Sequence, residues 1–506
     1  MKKALVLLLA LIMLVSAFAA CTPPETPGNE SKPAVDSKPS APEETPDENN
    51  PEASSTEEVI GNLPDLDLGG SQYVILSRND PWMVDEVSVE GTNGEPINDA
   101  IYKRNLNVET LFNIEIDNPL VEGDDYCVID ALKKTQGPDC PYHIAASSAY
   151  TCFQHTPSGL FYNIYDVENV DLDQKYWATK YNDQASIGNA QYFVTGAISL
   201  SLRRFIFVTF FNKVLAETYG IENLYDVVKE KRWTLDYQAQ IVNNMYDDID
   251  SIPGESEDDF YGFLTNSQIF VDPYVASCDV KLLVKDSDTN FFKFEPEKEK
   301  LDNVMEKINN LYYKSGGAYA FVGKGDYSDL DKILEKFSSS EAVLITHRLI
   351  AVESSDMREM TDPYGILPMP KYDEGQEEYY SLAHDLFTVY GIVSSVNSIE
   401  VDNVGAILEA MAIESYKEVT PAYYEIALKG KYSKDEETWQ MLDNIVNNLK
   451  INGGLLYTIE LDDITQKIRT AIKNKIANSE QFLSARNIGK IQKMLDNFQN
   501  KIKDIQ

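Results

Sequence analysis

Histidine and cysteine are scarce in this chain: its 506 residues hold four histidines and five cysteines. None stand at metal-ligand spacing, and no cysteine and histidine form a nucleophile signature. A Gly-x-Ser-x-Gly elbow is absent, and so is a glycine-rich phosphate loop with its lysine. No catalytic residue, resident metal or cofactor is therefore expected, and the chain reads as a binder rather than an enzyme. One catalytic route stays open, because the paired carboxylates of glycoside hydrolysis are brought together in space and 82 acidic residues are available. Positive charge is the next shortage. Only 44 lysines and arginines oppose those acids, leaving a formal net charge of −38. Such a chain repels phosphates, which argues against nucleic acid as a partner. Long apolar runs are missing too: the longest, Ala4 to Val15, is too short to span a membrane.

That run follows Lys2 and Lys3 and leads through small residues to Cys21, the layout of a secretory signal. Two processing routes compete. Ala17-Phe18-Ala19 fits small-x-small cleavage. Phe18-Ala19-Ala20-Cys21 resembles a lipoprotein box, with Phe18 where an aliphatic residue is usual. The lipoprotein route is adopted because of what comes next. Residues 22 to 60 are rich in Pro, Glu, Asp, Ser and Thr and cannot bury enough surface to offset their ordering entropy. We therefore expect a signal peptide over 1–20, lipid on Cys21, and a self-repelling disordered tether over 21–65. This places the protein on the extracellular face of a Gram-positive type of cell membrane. The remaining Cys127, Cys140, Cys152 and Cys278 allow three pairings or none.

A chain this long suggests more than one core. Tyr73-Val74-Ile75-Leu76 reads as a strand and Pro96 as the start of a helix. Ile114-Glu115-Ile116 is a second strand, residues 125–135 a second helix, and His143-Ile144-Ala145-Ala146 a third strand. That β-α-β-α-β order predicts a mostly parallel sheet covered by helices, with ligands at the carboxyl ends of its strands. The loop Ser77–Trp82 and the segment Ser147–Tyr150 then share one crevice. Far along the chain, Tyr364–Glu374 carries two prolines. It predicts an extended strap at a sheet edge, where the chain crosses between lobes.

Several stretches together carry a resemblance. Phe210-Phe211-Asn212-Lys213, Asn223–Val228, Arg232-Trp233-Thr234-Leu235-Asp236, Tyr261-Gly262-Phe263, Gly365–Glu374 and Val419–Tyr424 resemble the extracellular solute-binding proteins of family 1. These are the maltose-binding-like lipoprotein components of bacterial ABC importers, and the resemblance covers residues 66 to 480. It implies an α/β, type II periplasmic-binding-protein-like fold, with two lobes joined by crossover strands and a ligand cleft between them. The expected division is 66–195 first lobe, 196–363 second lobe, 364–420 first lobe again, and 421–506 C-terminal helices mainly on the second lobe. The crossovers are expected near Tyr192–Ser199 and Tyr364–Lys371. The resemblance also implies a monomer that hands a small-molecule ligand, an oligosaccharide, to permease subunits. The alternative is a surface-exposed glycan-active or adhesion protein on an α/β scaffold.

The candidate ligand contacts are Asp80, Trp82, Tyr150, Trp177, Tyr274, Arg348 and His384. Trp82 among polar residues serves as a stacking platform or as cover for a core edge. Tyr274 and Trp177 are carried over from aromatic positions of the resembled family, and packing is their competing role. Arg348 and His384 offer hydrogen bonds, against an ion pair for the one and packing for the other. Flat aromatic faces with a few polar groups predict a neutral sugar. Two features depart from the family. Asp247–Gly254 lacks the calcium-loop pattern, since Ile252 replaces an oxygen ligand and Pro253 stiffens the turn, so a solvated acidic turn is expected. Arg203 and Arg204 stand where relatives are neutral or acidic.

Overall fold

A computed structural model describes residues 63–250, 252–322, 328–429 and 436–505. The signal segment, Cys21 and nearly all of the tether lie outside the described residues. Thirteen strands are found among those described. The chain begins with β1 (Ser71–Arg78), β2 (Ile114–Asp117), β3 (Leu120–Val121) and β4 (Ile144–Ser148). A second series follows: β5 (Phe207–Asn212), β6 (Tyr246–Asp247) and β7 (Phe260–Asn266). The hairpin β8 (Leu283–Lys285) and β9 (Phe292–Phe294) comes next. After it come β10 (Ala318–Phe321), β11 (Ala342–Arg348), β12 (Tyr364–Leu367) and finally β13 (Thr388–Ile392). The first sheet runs β13-β4-β1-β2 with β3 beside β1, and the second runs β10-β7-β11-β5-β12 with β6 beside β7. In the first, β1 is parallel to β2 and to β4. In the second, β7 is parallel to β10 and to β11. These two sheets are the cores of two lobes.

Local signals explain the elements. Pro96 opens the helix Pro96–Phe112, where its missing N–H costs nothing, and Asn113 closes it in the left-handed region at φ 51°. Its buried stripe includes Ile101, Val108 and Phe112. Thr234 caps the helix Leu235–Ile241 by accepting the Tyr237 N–H at 3.1 Å.

The crossovers lie elsewhere than expected. Val194 exchanges both backbone hydrogen bonds with Tyr390, each 2.9 Å, so the Tyr192–Thr195 stretch extends the first sheet instead of leaving it. The chain leaves at Phe205–Phe207 and returns at Leu382–His384. These two segments lie side by side: Phe207 N–H donates to Leu382 O and His384 N–H to Phe205 O, both 2.9 Å. The strap is an edge strand of the second sheet, with β12 antiparallel to β5, so the second lobe extends past residue 364. The carbonyls of the two strap prolines are both satisfied, Pro368 O by the Trp233 indole N–H at 2.9 Å and Pro370 O by Ser277 Oγ at 2.8 Å.

The C-terminal helices touch both lobes. The ring of Tyr457 packs against Phe153 of the first lobe at 6.0 Å and Phe292 of the second at 5.5 Å. Ile451 N–H donates to Gln184 Oε1 at 3.2 Å.

Candidate ligand cleft

β1 ends at Arg78 and β4 at Ser148, while on the other sheet β7 ends at Asn266 and β11 at Arg348. Parallel strands present their carboxyl ends to one crevice, and here two such sets are joined by paired crossover segments. Arg348 and Trp82 mark where the lobes meet. The guanidinium of Arg348 is 5.6 Å from the centre of the Trp82 ring and 5.2 Å from that of Phe205. Arg348 is buried, whereas Trp82 is 51% exposed at the rim.

The floor of the crevice is the crossover itself. His384 is buried against Phe207 and Phe205, and its Nε2 lies 3.7 Å from Asp385 Oδ1. Burial, reinforced by the charges of Arg348, Arg469 and Arg78, holds its imidazole well below the usual histidine range. The neighbouring Asp385 carboxyl is pushed the other way, up to about 7, by burial first and by Asp272 and Asp125, while Arg469 opposes. Arg78 donates through Nη2 to Leu386 O, just past the crossover, and Nη1 stands 3.6 Å from Asp125. Arg469, on the helix Ile464–Lys473, donates from Nε to Asp272 at 2.9 and 3.1 Å and from Nη2 as well. Three arginines from three separate stretches of chain thus act electrostatically on one imidazole.

The candidate residues divide. Trp82, Arg348 and His384 are brought together by Arg348, which stacks on the first and acts on the charge of the third. Tyr150 lies close by, its N–H donating to Asp385 O at 2.8 Å and its ring edge-on to Tyr126 at 6.3 Å. Asp80 shapes the loop: its Oδ1 accepts the Trp82 N–H at 2.9 Å, which fixes the tryptophan backbone. Trp177 is not at the cleft. It is buried in the first-lobe core with its indole N–H on Glu409 at 2.9 Å. Tyr274 is wholly buried, its hydroxyl bonded to Thr346 Oγ1 at 2.9 Å, so neither ring face is open for stacking.

Arg78, Asp125, Asp272, Asp385 and Arg469 were missed in the sequence. Only Arg78 carried a signal there, as the last residue of a strand whose following loop points into the crevice. Arg204 makes a bidentate pair with Glu353 at 2.8 Å on each arm and is committed to it. In the acidic loop, Asp248, Asp250 and Asp259 bring carboxylate oxygens within 4.8 Å of one another. Asp259, beyond the turn, is buried and accepts Ser256 N–H at 2.9 Å and Tyr246 O–H at 3.1 Å, while the described residues of Asp247–Gly254 are exposed or half-buried, as expected of a solvated acidic turn. Cys127, Cys140, Cys152 and Cys278 are free thiols, and burial pushes Cys152 and Cys278 up to about 12.

No family model and no curated protein matches this chain. Solved structures match its fold. An ABC substrate-binding protein from Listeria monocytogenes, solved with cycloalternan, superposes with a TM-score of 0.50 at 12% identity, covering 86% of this chain and 98% of that one. A cyclo/maltodextrin-binding protein solved with maltotetraose superposes with a TM-score of 0.51 at 12% identity, covering 86% of this chain and 96% of the other. At that identity the likeness is one of fold: the chain has the type II periplasmic-binding-protein-like architecture, two α/β lobes joined by crossovers.

Proposed function

We propose that the protein is an extracellular solute-binding protein of family 1 that captures an oligosaccharide between its lobes and passes it to an ABC permease without chemically altering it. The observation that carries this reading is the cleft. Carboxyl ends of parallel strands from two sheets converge there, and the rim holds a half-exposed tryptophan beside buried polar groups. Sugars suit such a site, because their C–H faces stack on indole while their hydroxyls meet directional donors and acceptors. The fold shared with proteins solved with cycloalternan and maltotetraose supports it. A thermal-shift screen of plant and host glycans, followed by calorimetry, tests it. A binding glycan should lose about 1–3 kcal/mol of affinity in Trp82→Ala, the scale of one large buried side chain. Unchanged affinity would remove Trp82 from the site, and released product would make the protein an enzyme.

The reading includes a lipid anchor on Cys21, motivated by the lipoprotein-like box and the acidic tether behind it. Changing Cys21→Ser should move the protein from the membrane fraction to the medium in a cell fractionation. Retention in the membrane would refute the anchor.

A further inference from the structure

The second lobe sends an arm across to the first. Between the helices Asp272–Ser277 and Lys298–Asn309 stands the hairpin β8–β9, its turn closed by Asp286 N–H donating to Phe291 O at 2.8 Å. That turn is built from within. Asp286 Oδ1 accepts the N–H groups of Asp288 at 3.1 Å and Thr289 at 3.0 Å, and Lys293 Nζ donates to Oδ2 at 2.5 Å. These bonds, the one from Lys293 foremost, hold the Asp286 carboxyl well below the usual carboxylate range. Asn290 takes φ 57°, a left-handed conformation that asparagine tolerates better than most residues. The outer edge of the arm is tied to the last helix, Ala485–Lys503. Phe292 N–H donates to Gln499 Oε1 at 2.6 Å, Gln499 Nε2 to Phe292 O at 3.0 Å, and Phe294 N–H to Gln492 Oε1 at 2.7 Å. The arm is therefore fixed in shape, and little ordering entropy is lost where it docks.

It docks on the segment Asp183–Gly188. That segment belongs to the first lobe, because Asn182 just before it exchanges hydrogen bonds with Thr195: Asn182 Nδ2 donates to Thr195 O at 2.9 Å, and Thr195 N–H to Asn182 Oδ1 at 3.1 Å. Gly188 N–H donates to Asn290 O at 3.1 Å. In return Asn290 Nδ2 donates to Gly188 O at 2.8 Å and to Ser186 Oγ at 3.1 Å. Lys285 Nζ donates to Asp183 O at 2.5 Å and to Ser186 Oγ at 2.9 Å, with its ammonium 5.6 Å from the centre of the Phe292 ring. Five hydrogen bonds thus join the lobes at a place that neither crossover occupies. The crossovers Phe205–Phe207 and Leu382–His384 lie side by side and act as one hinge, and contacts made away from a hinge must break or slide when the lobes turn about it. All five bonds are polar, and water replaces each at a small net cost, so the contact is able to open.

We propose that the β8–β9 arm is a latch: Lys285 and Asn290 clasp Asp183–Gly188 and hold the lobes of the free protein at one separation, and the hinge turns only when the clasp lets go. The latch goes beyond the solute-capture reading. It sets how far the cleft stands open before any ligand arrives, and a ligand that turns the lobes does so against these five bonds.

The test uses the full chain with no ligand, so its result leaves the capture reading as it stands. Lys285→Met keeps the apolar stem over Phe292, and Asn290→Gly keeps the left-handed turn; together they remove four of the five bonds. In this double variant, checked for native near-UV circular dichroism, the Gly188 amide should exchange with deuterium about tenfold or more faster than in the wild type. Lobe separation is read by pulsed electron resonance between spin labels at the exposed Leu106 of the first lobe and Val214 of the second, with Cys21 and Cys140 replaced by serine. The unaltered arm should give one narrow distance peak, and the double variant a broadened or second peak. Asn290→Asp, which puts an acceptor where the donor to Gly188 O stood, should shift both readings the same way and stands in where the double variant does not fold. A broad distance distribution with the arm unaltered would overturn the latch. So would an unchanged peak in a folded variant whose Gly188 exchanges fast, because the C-terminal helices would then be what holds the lobes. Unchanged Gly188 exchange in the folded variants would show that Lys285 and Asn290 do not make the clasp, and would overturn it as well.

Discussion

Replacing Arg469 by methionine is expected to cost about 3–5 kcal/mol of stability at pH 8, because it strips the partner from a buried carboxylate. Asp272 is 2% exposed and takes three hydrogen bonds from Arg469. Burial already raises its pKa, and Arg469 is what opposes the rise. The sign follows from linkage. A carboxyl whose folded pKa lies above its unfolded value burdens the folded state at high pH, and the burden disappears as pH falls through the folded pKa. Without Arg469 the Asp272 carboxyl rises further, and so does Asp385, which Arg469 also lowers. His384 acts in the same sense: Arg469 is among the charges that depress its imidazole, so the variant's histidine protonates more readily in acid. The variant should therefore lie far below the wild type at pH 8 and approach it at pH 5, as read by urea denaturation. The double change Asp272→Asn with Arg469→Met should recover much of the loss at pH 8, since the Asp272 charge is then removed with its partner and only Asp385 is left without Arg469. An equal deficit at both pH values would show that Arg469 acts through packing instead of charge.

The elements of the first lobe were legible because they are local. Pro96 marks the start of its helix, whose buried stripe is Ile101, Val108 and Phe112, and the strands of this lobe read as short apolar runs. Pairing was less legible. Tyr192–Thr195 reads as a strand for either sheet, and only its partner, Tyr390, fixes it to the first. The crossovers were misplaced for that reason, by about one element each. The cleft was half visible. Trp82 and Arg348 were found because each follows a readable strand. Trp177 and Tyr274 were carried over from aromatic positions of the resembled family, yet tertiary packing gives each a buried partner, Glu409 and Thr346. Asp272, Asp385 and Arg469 become neighbours only through the fold, across nearly two hundred residues of chain, so no spacing announces them.

Trp233→Ala should destabilise the protein by about 3–5 kcal/mol, the range for emptying a large core site. Trp233 is wholly buried between two helices of the second lobe. Its neighbourhood is where the strap is fastened. Lys371 N–H donates to Trp233 O at 3.2 Å and Leu235 N–H to Lys371 O at 3.0 Å, while the indole holds Pro368 O. Proline leaves the strap short of donors, so its carbonyls depend on side chains such as this one. Two contributions are then lost together in the alanine variant, the packed ring and the partner of a buried carbonyl. Trp233→Phe separates them, since it keeps most of the apolar ring and loses the N–H. It should cost about 1–3 kcal/mol, the scale of one buried acceptor left unpaired. Urea midpoints of the two variants measure the split. If the phenylalanine variant is as unstable as the alanine one, the hydrogen bond to Pro368 dominates. If it matches the wild type, the strap is held by packing alone. Ligand affinity should fall with stability in both variants, because the strap leads into Leu382–His384, the floor on which Asp385 and the three arginines converge.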